Sequence, residues 1–454
     1  MAEVGAFTLE NLTTGMYINS IVIFREYIQN ACDAIDKAVD AKILQEGDGK
    51  IEITIDKDNH RITIEDNATG ISVLDFKSSL INIAYSDKTL ETDRGFRGIG
   101  RLCGLAYCRE LRFVSTARGE GIQSTVIFNA AKLRTIFYSD RKYTVKEALD
   151  EIVSFETNIA DADEHFFKVE LIDIVNTNKD LLDVEAVRDY LAFVAPVTYS
   201  PNFLYQTEIY KHAAALNFKI TEYKILVNGE QLNKPYKTNV QTRLGKDEIF
   251  GVTFRDFYDA SNKLIAWSWI GLSEFKGVLD QKGGTADNKM RGIRLRQKNI
   301  QIGDQNVFQS RKLFREDRGT TYFIGEIHTV DINLRPNGRR DYLEENDTYT
   351  AFKEKLTDYF KELGKIYWTA SDVRSAVKAI NAPKEAENEF NKQSAPYRKS
   401  HQAVYEETQA KLEVAAQVAE NKLARLRQEA EQNPETPLSQ VVTRIIENQS
   451  GNNP

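Results

Sequence analysis

Glu26 and Asn30 stand four residues apart in REYIQNACDAID, residues 25 to 36, and Asp33 follows within the next turn. Residues three or four apart share a helix face, so this spacing sets a carboxylate, an amide and a second carboxylate along one stripe. A carboxylate placed there polarises a water as a general base. The amide oxygen one turn on suits Mg²⁺, which keeps several waters and takes one or two protein oxygens beside the phosphates of a nucleotide. The same residues also fit the polar edge of an amphipathic helix, so the chemistry depends on what the rest of the chain brings to that helix.

Two further motifs bear on it. In RITIEDNATGIS, alternating Ile62 and Ile64 mark a strand that ends at Asp66, and a turn closes at Gly70. An Asp at a strand end accepts a hydrogen bond from the exocyclic amine of adenine, and a glycine lets the backbone pass close beneath the base. In RGFRGIGRLCGLAYC, Gly95, Gly98 and Gly100 precede Leu102, Leu105 and Ala106. That reads as a glycine loop opening a helix, whose free N–H groups and positive dipole end favour a polyphosphate. An ordinary turn or a tight helix start accounts for either glycine motif alone; the succession of all three carries the reading.

The succession of E-x-x-x-N-x-x-D-A helix, strand-Asp-turn-Gly and G-x-x-G-x-G loop resembles the Bergerat ATP-binding fold of the GHKL superfamily. That superfamily includes DNA gyrase, the ninety-kilodalton heat-shock chaperones, histidine kinases and mismatch-repair MutL. The resemblance implies ATP hydrolysis with Mg²⁺, with Glu26 as general base, Asn30 as the Mg²⁺ ligand and Asp33 on the nucleotide side of the helix. It puts Asp66 and Gly70 at the adenine and Gly95, Gly98 and Gly100 around the phosphates. The chain departs from the family's Asp-x-Gly-x-Gly at Ala68, a methyl that is tolerated where the backbone angles are ordinary and not where φ must be positive.

Three more segments extend the resemblance. INIAYSDKTLETDRGFRG is similar to the lid of the chaperone and MORC-like branches, which makes Ser86 and Lys88 lid contacts. In GIQSTVIF, Thr125 is similar to the Thr that helps hold the water network at the adenine, although a strand Thr also serves as β-branched filler. INLRPNGRRDYLEEN resembles the chaperone-branch loop in which an Asn is followed three residues later by an Arg that meets the γ-phosphate; here these are Asn337 and Arg340, with the adjacent Arg339 left open. A guanidinium suits that role because it stays charged and its planar fork engages oxygens in pairs.

The elements that must position these residues alternate between helix and strand, which predicts an α+β fold: a Bergerat-type sandwich over 1–175, a second α+β, transducer-like domain over 176–368, and a helical region over 369–454. KITEYKILVNG, LIAWSWIGL, RGIRLRQKNIQIG and TYFIGEIHTVD supply the strands expected of the second domain. Leu412, Ala415, Ala419, Leu423 and Leu426 form a narrow apolar face, which suits a coiled coil or helical hairpin and equally a helix packed back on the second domain. A polar tail closes the chain.

At 454 residues with 41% hydrophobic and 28% charged residues, the chain reads as a soluble protein of two or three domains. A net charge of −7 gives no overall field for nucleic acid. Three cysteines, Cys32, Cys103 and Cys108, and five scattered histidines supply neither a disulfide framework nor a zinc spacing. The N-terminus lacks a secretory pattern and no apolar run is long enough to span a bilayer, so a cytoplasmic location without membrane association is expected. The expected function is an ATP-hydrolysing conformational switch of chaperone or MORC-like type, with ATP and Mg²⁺ as cofactors and a homodimer as the assembly. A protein client or a nucleic acid is left open as partner. A DNA-associated ATPase of topoisomerase or mismatch-repair type and a non-hydrolysing ATP sensor are the alternatives.

Overall fold

In the computed structural model the described residues are 4–13, 19–82, 94, 100–242, 245–277, 289–309, 311, 313–316 and 319–450. Ser86, Lys88, Gly95 and Gly98 lie outside them. Helix α1 (Phe7–Thr13) is followed by α2 (Val22–Asp40), whose Ile23, Phe24, Tyr27, Ile28, Ala31, Ile35 and Ala38 recur at helical spacing and are all buried. Strands β1 (Lys50–Asp56) and β2 (Arg61–Asp66) form the expected hairpin, with Ile51, Ile53 and Ile55 opposite Asp66, Ile64 and Ile62. Helix α3 (Val73–Ile81) leads to β3 (Cys108–Thr116) and β4 (Ile122–Asn129), then α4 (Ala130–Phe137), α5 (Val145–Ile152), β5 (Val153–Ile159) and β6 (Phe166–Ile174).

Helices α6 (Val184–Val194) and α7 (Gln206–Ala215) precede β7 (Lys224–Val227) and β8 (Glu230–Gln231). Among the described residues the first sheet has eight strands in the order β5-β4-β3-β6-β2-β1-β7-β8. The segment KITEYKILVNG therefore does not join the second sheet; its β7 runs parallel to β1, with Ile225 and Val227 beside Ile51 and Ile53. One face of the first sheet is apolar and carries α2. Its other face is polar, with Lys168 paired to Glu65 at 2.9 Å.

A short hairpin of β9 (Asn239–Thr242) and β10 (Gly245–Glu248) leads into β11 (Gly251–Tyr258), β12 (Leu264–Leu272), β13 (Gly292–Gln297), β14 (Ile300–Ile302) and β15 (Ile324–Thr329). The last five form a second sheet in the order β11-β12-β15-β13-β14. Against it packs α8 (Asp347–Asn391), whose Phe352, Leu356, Phe360 and Leu363 enter the second core. This one helix runs without a break through residue 368, where the composition shift suggested a boundary.

Helix α9 (Ala395–Gln432) returns antiparallel to α8, with Phe390 stacked on Tyr405 at 4.0 Å and Lys422 paired to Asp372 at 3.0 Å. Ala416 and Ala419 are buried on that face, whereas Ala415 is exposed; the seam steps through Leu412, Ala416, Ala419, Leu423 and Leu426. Helix α10 (Pro437–Ser450) folds back and puts Val441, Val442 and Ile445 into the second core. The helical end is thus both a hairpin and a packed-back layer. No described helix is long and apolar enough to cross a membrane.

Candidate functional site

The apolar face of α2 pins it to the sheet and leaves its polar stripe at one end of the core. Glu26 is 8% and Asp33 2% exposed, and Asn30 is half-buried. Arg25, also buried, brings Nη2 to 3.3 Å from Glu26 Oε1. A Cβ added to Gly100 would stand 2.7 Å from Glu26 Oε2, so the glycine permits the chain to close over the carboxylate.

The expected helix after the glycine loop is a 3₁₀ segment, Gly100–Ala106. Its tighter winding follows from a clamp on α2: Gly104 N donates to the Tyr27 hydroxyl at 3.0 Å, and that hydroxyl donates to Arg101 O at 3.2 Å. A Cβ on Gly104 would lie 2.5 Å from the same oxygen. Burial holds the Tyr27 phenol well above its ordinary pKa, so it keeps the proton it donates.

Asp66 ends β2 on the apolar face and is 3% exposed. Ala68 N donates to its Oδ1 at 3.1 Å, and burial pushes its carboxyl pKa up to about 8. Gly70 has φ +65, and a Cβ there would meet Thr116 O at 1.9 Å, so only glycine fits between the ends of β3 and β6. Ala68 is not among the residues with positive φ; its methyl is buried, and its carbonyl is held by His165 Nδ1 at 2.6 Å. The departure from the family's glycine pattern therefore imposes no backbone strain.

Register separates Thr125 from Asp66. Across the sheet, Asp66 lies opposite Phe167, Phe167 opposite Ser115, and Ser115 opposite Ser124, which puts all four on one face. Thr125 pairs with Val114 and Glu156 on the other face, away from α2. Strand side chains alternate, so the expected assignment is displaced by one residue and Ser124 takes the row of Asp66. The Ser124 hydroxyl is buried with no hydrogen-bond partner among the described residues. The alternation of Ser124, Val126 and Phe128, all buried, was the signal in the sequence for this choice.

Asp33 accepts from Arg94, at 2.9 Å from its backbone N and 3.3 Å from Nη1. The second sheet reaches the same point. The turn after Pro336 is closed by a bridge to Leu343, Asn337 Nδ2 donates to Asp341 at 2.6 Å, and Arg340 has φ +56. A left-handed arginine is strained unless its surroundings hold it. Here Gly303 N donates to its carbonyl at 2.9 Å, and its Nη1 donates to Arg94 O at 2.9 Å, 246 residues away in sequence. Arg340 is 7% exposed, whereas Arg339 points to solvent.

The donor set fits a magnesium nucleotide. The Asp66 carboxyl is a buried acceptor with no cation beside it among the described residues, which suits an amine; Gly70 and Gly100 are pressed against neighbours that a side chain would strike; and the half-buried Asn30 amide offers one oxygen of the kind that Mg²⁺ takes.

A family profile described as histidine kinase-, DNA gyrase B-, and HSP90-like ATPase matches residues 19–164. Chaperone protein HtpG of Sulfurovum sp. is 39% identical over 90 residues, 18% of this chain and 14% of that protein. HtpG of Psychrobacter cryohalolentis is 41% identical over 137 residues, 26% and 20% of the two chains. HtpG of Geobacter metallireducens is 24% identical over 308 residues, 60% and 42%. The chain thus spans less than half the length of each of these curated relatives. With the α+β architecture and the motif order, these matches support a GHKL-type ATPase domain over residues 19–164, similar to the Hsp90-like branch.

Proposed function

We propose that the chain is an ATP-binding, ATP-hydrolysing conformational switch of chaperone-like type, in which the first sheet with α2 is the nucleotide unit and the second sheet is the transducer. The observation that carries this reading is the 2.9 Å contact of Arg340 Nη1 with Arg94 O, which brings a cation from the second sheet to the edge of the Asp33 and Glu26 helix. Bound ATP would supply the γ-phosphate and Mg²⁺ would neutralise part of its charge. Asp66 would accept from the adenine amine and Asn30 would hold the metal, while Glu26 takes a proton from the water that attacks the γ-phosphorus, ADP leaves as that P–O bond breaks, and Arg340 balances the charge that develops on the phosphoryl oxygens. Release of phosphate from ATP by the purified chain, with Mg²⁺ and with EDTA, tests the proposal; no Mg²⁺-dependent release defeats it.

A second reading, an ATP sensor that does not hydrolyse, is favoured by the Arg25 and Glu26 pair at 3.3 Å, since a carboxylate oxygen held by a guanidinium is less free to accept from a water. Nucleotide binding without phosphate release in the same assay selects it.

Arg340→Ala is expected to lower turnover about 10- to 100-fold, the scale of one charge-assisted hydrogen bond at about 1.5–3 kcal/mol, while ADP affinity stays near that of wild type. Arg339→Ala is the control because Arg339 faces solvent. Equal loss in both variants, or loss in Arg339→Ala alone, removes Arg340 from the site.

We also propose lid closure over the nucleotide, with Ser86 and Lys88 as its contacts, coupled to dimerisation. Non-hydrolysable ATP analogues should then raise the sedimentation coefficient of the full chain; shifting a two-state balance from about 1:99 to 99:1 needs roughly 5.5 kcal/mol of differential affinity. The full chain is required because α10 seats Val441, Val442 and Ile445 in the second core. A monomer that stays monomeric at saturating analogue rules the dimer switch out.

A further inference from the structure

Arg94 joins three parts of the molecule that are far apart in sequence. Its guanidinium is buried, with Nη1 at 2.6 Å from Asp36 and 3.3 Å from Asp33 on α2. Its Nη2 donates to the Tyr223 hydroxyl at 2.6 Å and to Thr221 Oγ1 at 3.2 Å, in the segment leading into β7. Tyr223 donates in turn to Asp36 at 2.5 Å, which closes the ring of contacts. Its own carbonyl takes Arg340.

The far side of this clasp continues into the second sheet. Thr221 O accepts from Asn299 Nδ2 at 2.8 Å, and Asn299 Oδ1 accepts from Lys234 Nζ at 2.8 Å. Lys234 lies 3.1 Å from Glu326, and Glu326 is held by Arg296 Nε at 2.5 Å and by Tyr199 at 2.7 Å. Lys234, Arg296 and Glu326 are each 0% exposed. Charges this deep persist only when each is held by its partners, and removal of one partner is costly, so small displacements at one end are not absorbed by solvent. The series of contacts from Asp33 to Glu326 is continuous and mostly side chain to side chain.

We propose that Arg94 is a positioning residue that couples nucleotide occupancy at α2 to the second sheet. It holds Asp33 and Asp36 with one nitrogen, the β7 approach with the other, and the Arg340 turn with its carbonyl. The proposal rests on the nucleotide reading of the first sheet. Asp33 and Asp36 lie on the helix that carries Glu26 and Asn30, so a nucleotide that shifts α2 pulls on the Arg94 guanidinium and thereby on the Arg94 carbonyl and Arg340. The guanidinium sets how far that carbonyl can travel before Thr221 and Asn299 follow.

Hydrogen exchange of the full chain with the β,γ-imido analogue of ATP tests this, with analogue affinity measured separately by calorimetry. In the wild type, analogue should change protection of amides in 292–302 and 337–343. In the double variant Thr221→Val, Tyr223→Phe, which keeps Arg94 and its α2 carboxylates, that change should shrink about fivefold or more at unchanged affinity, the lower end of ordinary coupling between sites. Arg94→Met should abolish it and Arg94→Lys restore part of it; the double variant decides the matter if Arg94→Met does not fold. Bound analogue with equal protection changes in wild type and double variant, or with no change in the wild type, overturns the role of Arg94 and leaves the nucleotide site intact. Absence of analogue binding by the wild type overturns both.

Discussion

Replacing Glu26 by alanine is expected to lower phosphate release by about 10²-fold or more, the scale of a lost general base, while ATP affinity stays near that of wild type. The carboxylate is buried at the point where Gly100 closes over it, so a water held there meets no competing base among the described carboxylates of α2. Asp33 accepts from Arg94 and Asp36 pairs with Arg94 and Tyr223, which commits both to structure. Glu26→Gln is the companion variant, because alanine also removes a hydrogen-bond partner of buried Arg25, and loss of one member of a buried pair costs stability of itself. Single-turnover hydrolysis and calorimetry on both variants provide the check: turnover within a few-fold of wild type in Glu26→Gln would remove Glu26 as the base.

Asp66→Asn is expected to weaken ATP binding roughly tenfold or more, since a mismatched buried hydrogen bond costs about 1–3 kcal/mol. The wild-type site should in addition depend on pH. Burial pushes the Asp66 carboxyl up to about 8, so in the ligand-free protein it is largely protonated at neutral pH. An adenine amine prefers the carboxylate as acceptor, so binding releases a proton and affinity rises with pH until the carboxyl is ionised near 8, by up to tenfold per unit. Calorimetry between pH 6 and 8 in buffers of different ionisation enthalpy measures that proton release directly. A flat profile in the wild type, or the same slope in Asp66→Asn, contradicts the assignment.

Stability should move the other way. The folded-state value lies above the ordinary 3.8, so the folded protein binds this proton more tightly than the unfolded chain. The resulting stabilisation is full below 3.8 and is lost as pH rises through about 8. Ligand-free Asp66→Asn should therefore melt above the wild type at pH 8 and lose that advantage toward pH 5. A binding residue kept at a cost to stability is a common trade at functional sites.

The features legible in the amino-acid order are local and periodic. The apolar repeat of α2 fixed that its polar stripe of Glu26, Asn30 and Asp33 would share one side, because helix geometry admits no other arrangement. The alternation of Ile62 and Ile64 fixed the face of Asp66, and Gly70 marked a place where a side chain would strike the neighbouring strand end. The Asn337 to Arg340 spacing marked the turn, since Asn337 closes it through Asp341.

Tertiary structure decided the rest, because those outcomes depend on which distant segments meet. The choice of Ser124 over Thr125 is a matter of register, and a shift of one residue exchanges the two faces of a strand. That β7 joins the first sheet follows from its pairing with β1, a contact that hydrophobic pattern cannot assign to one sheet or the other. Nothing local distinguishes Arg340 from Arg339 either; the left-handed turn buries one and leaves the other in solvent. Arg94 carried no signal at all as one arginine in a glycine-rich run, and its importance arises only where Asp33, Asp36, Tyr223 and Arg340 converge on it, since a buried guanidinium is defined by the oxygens that surround it.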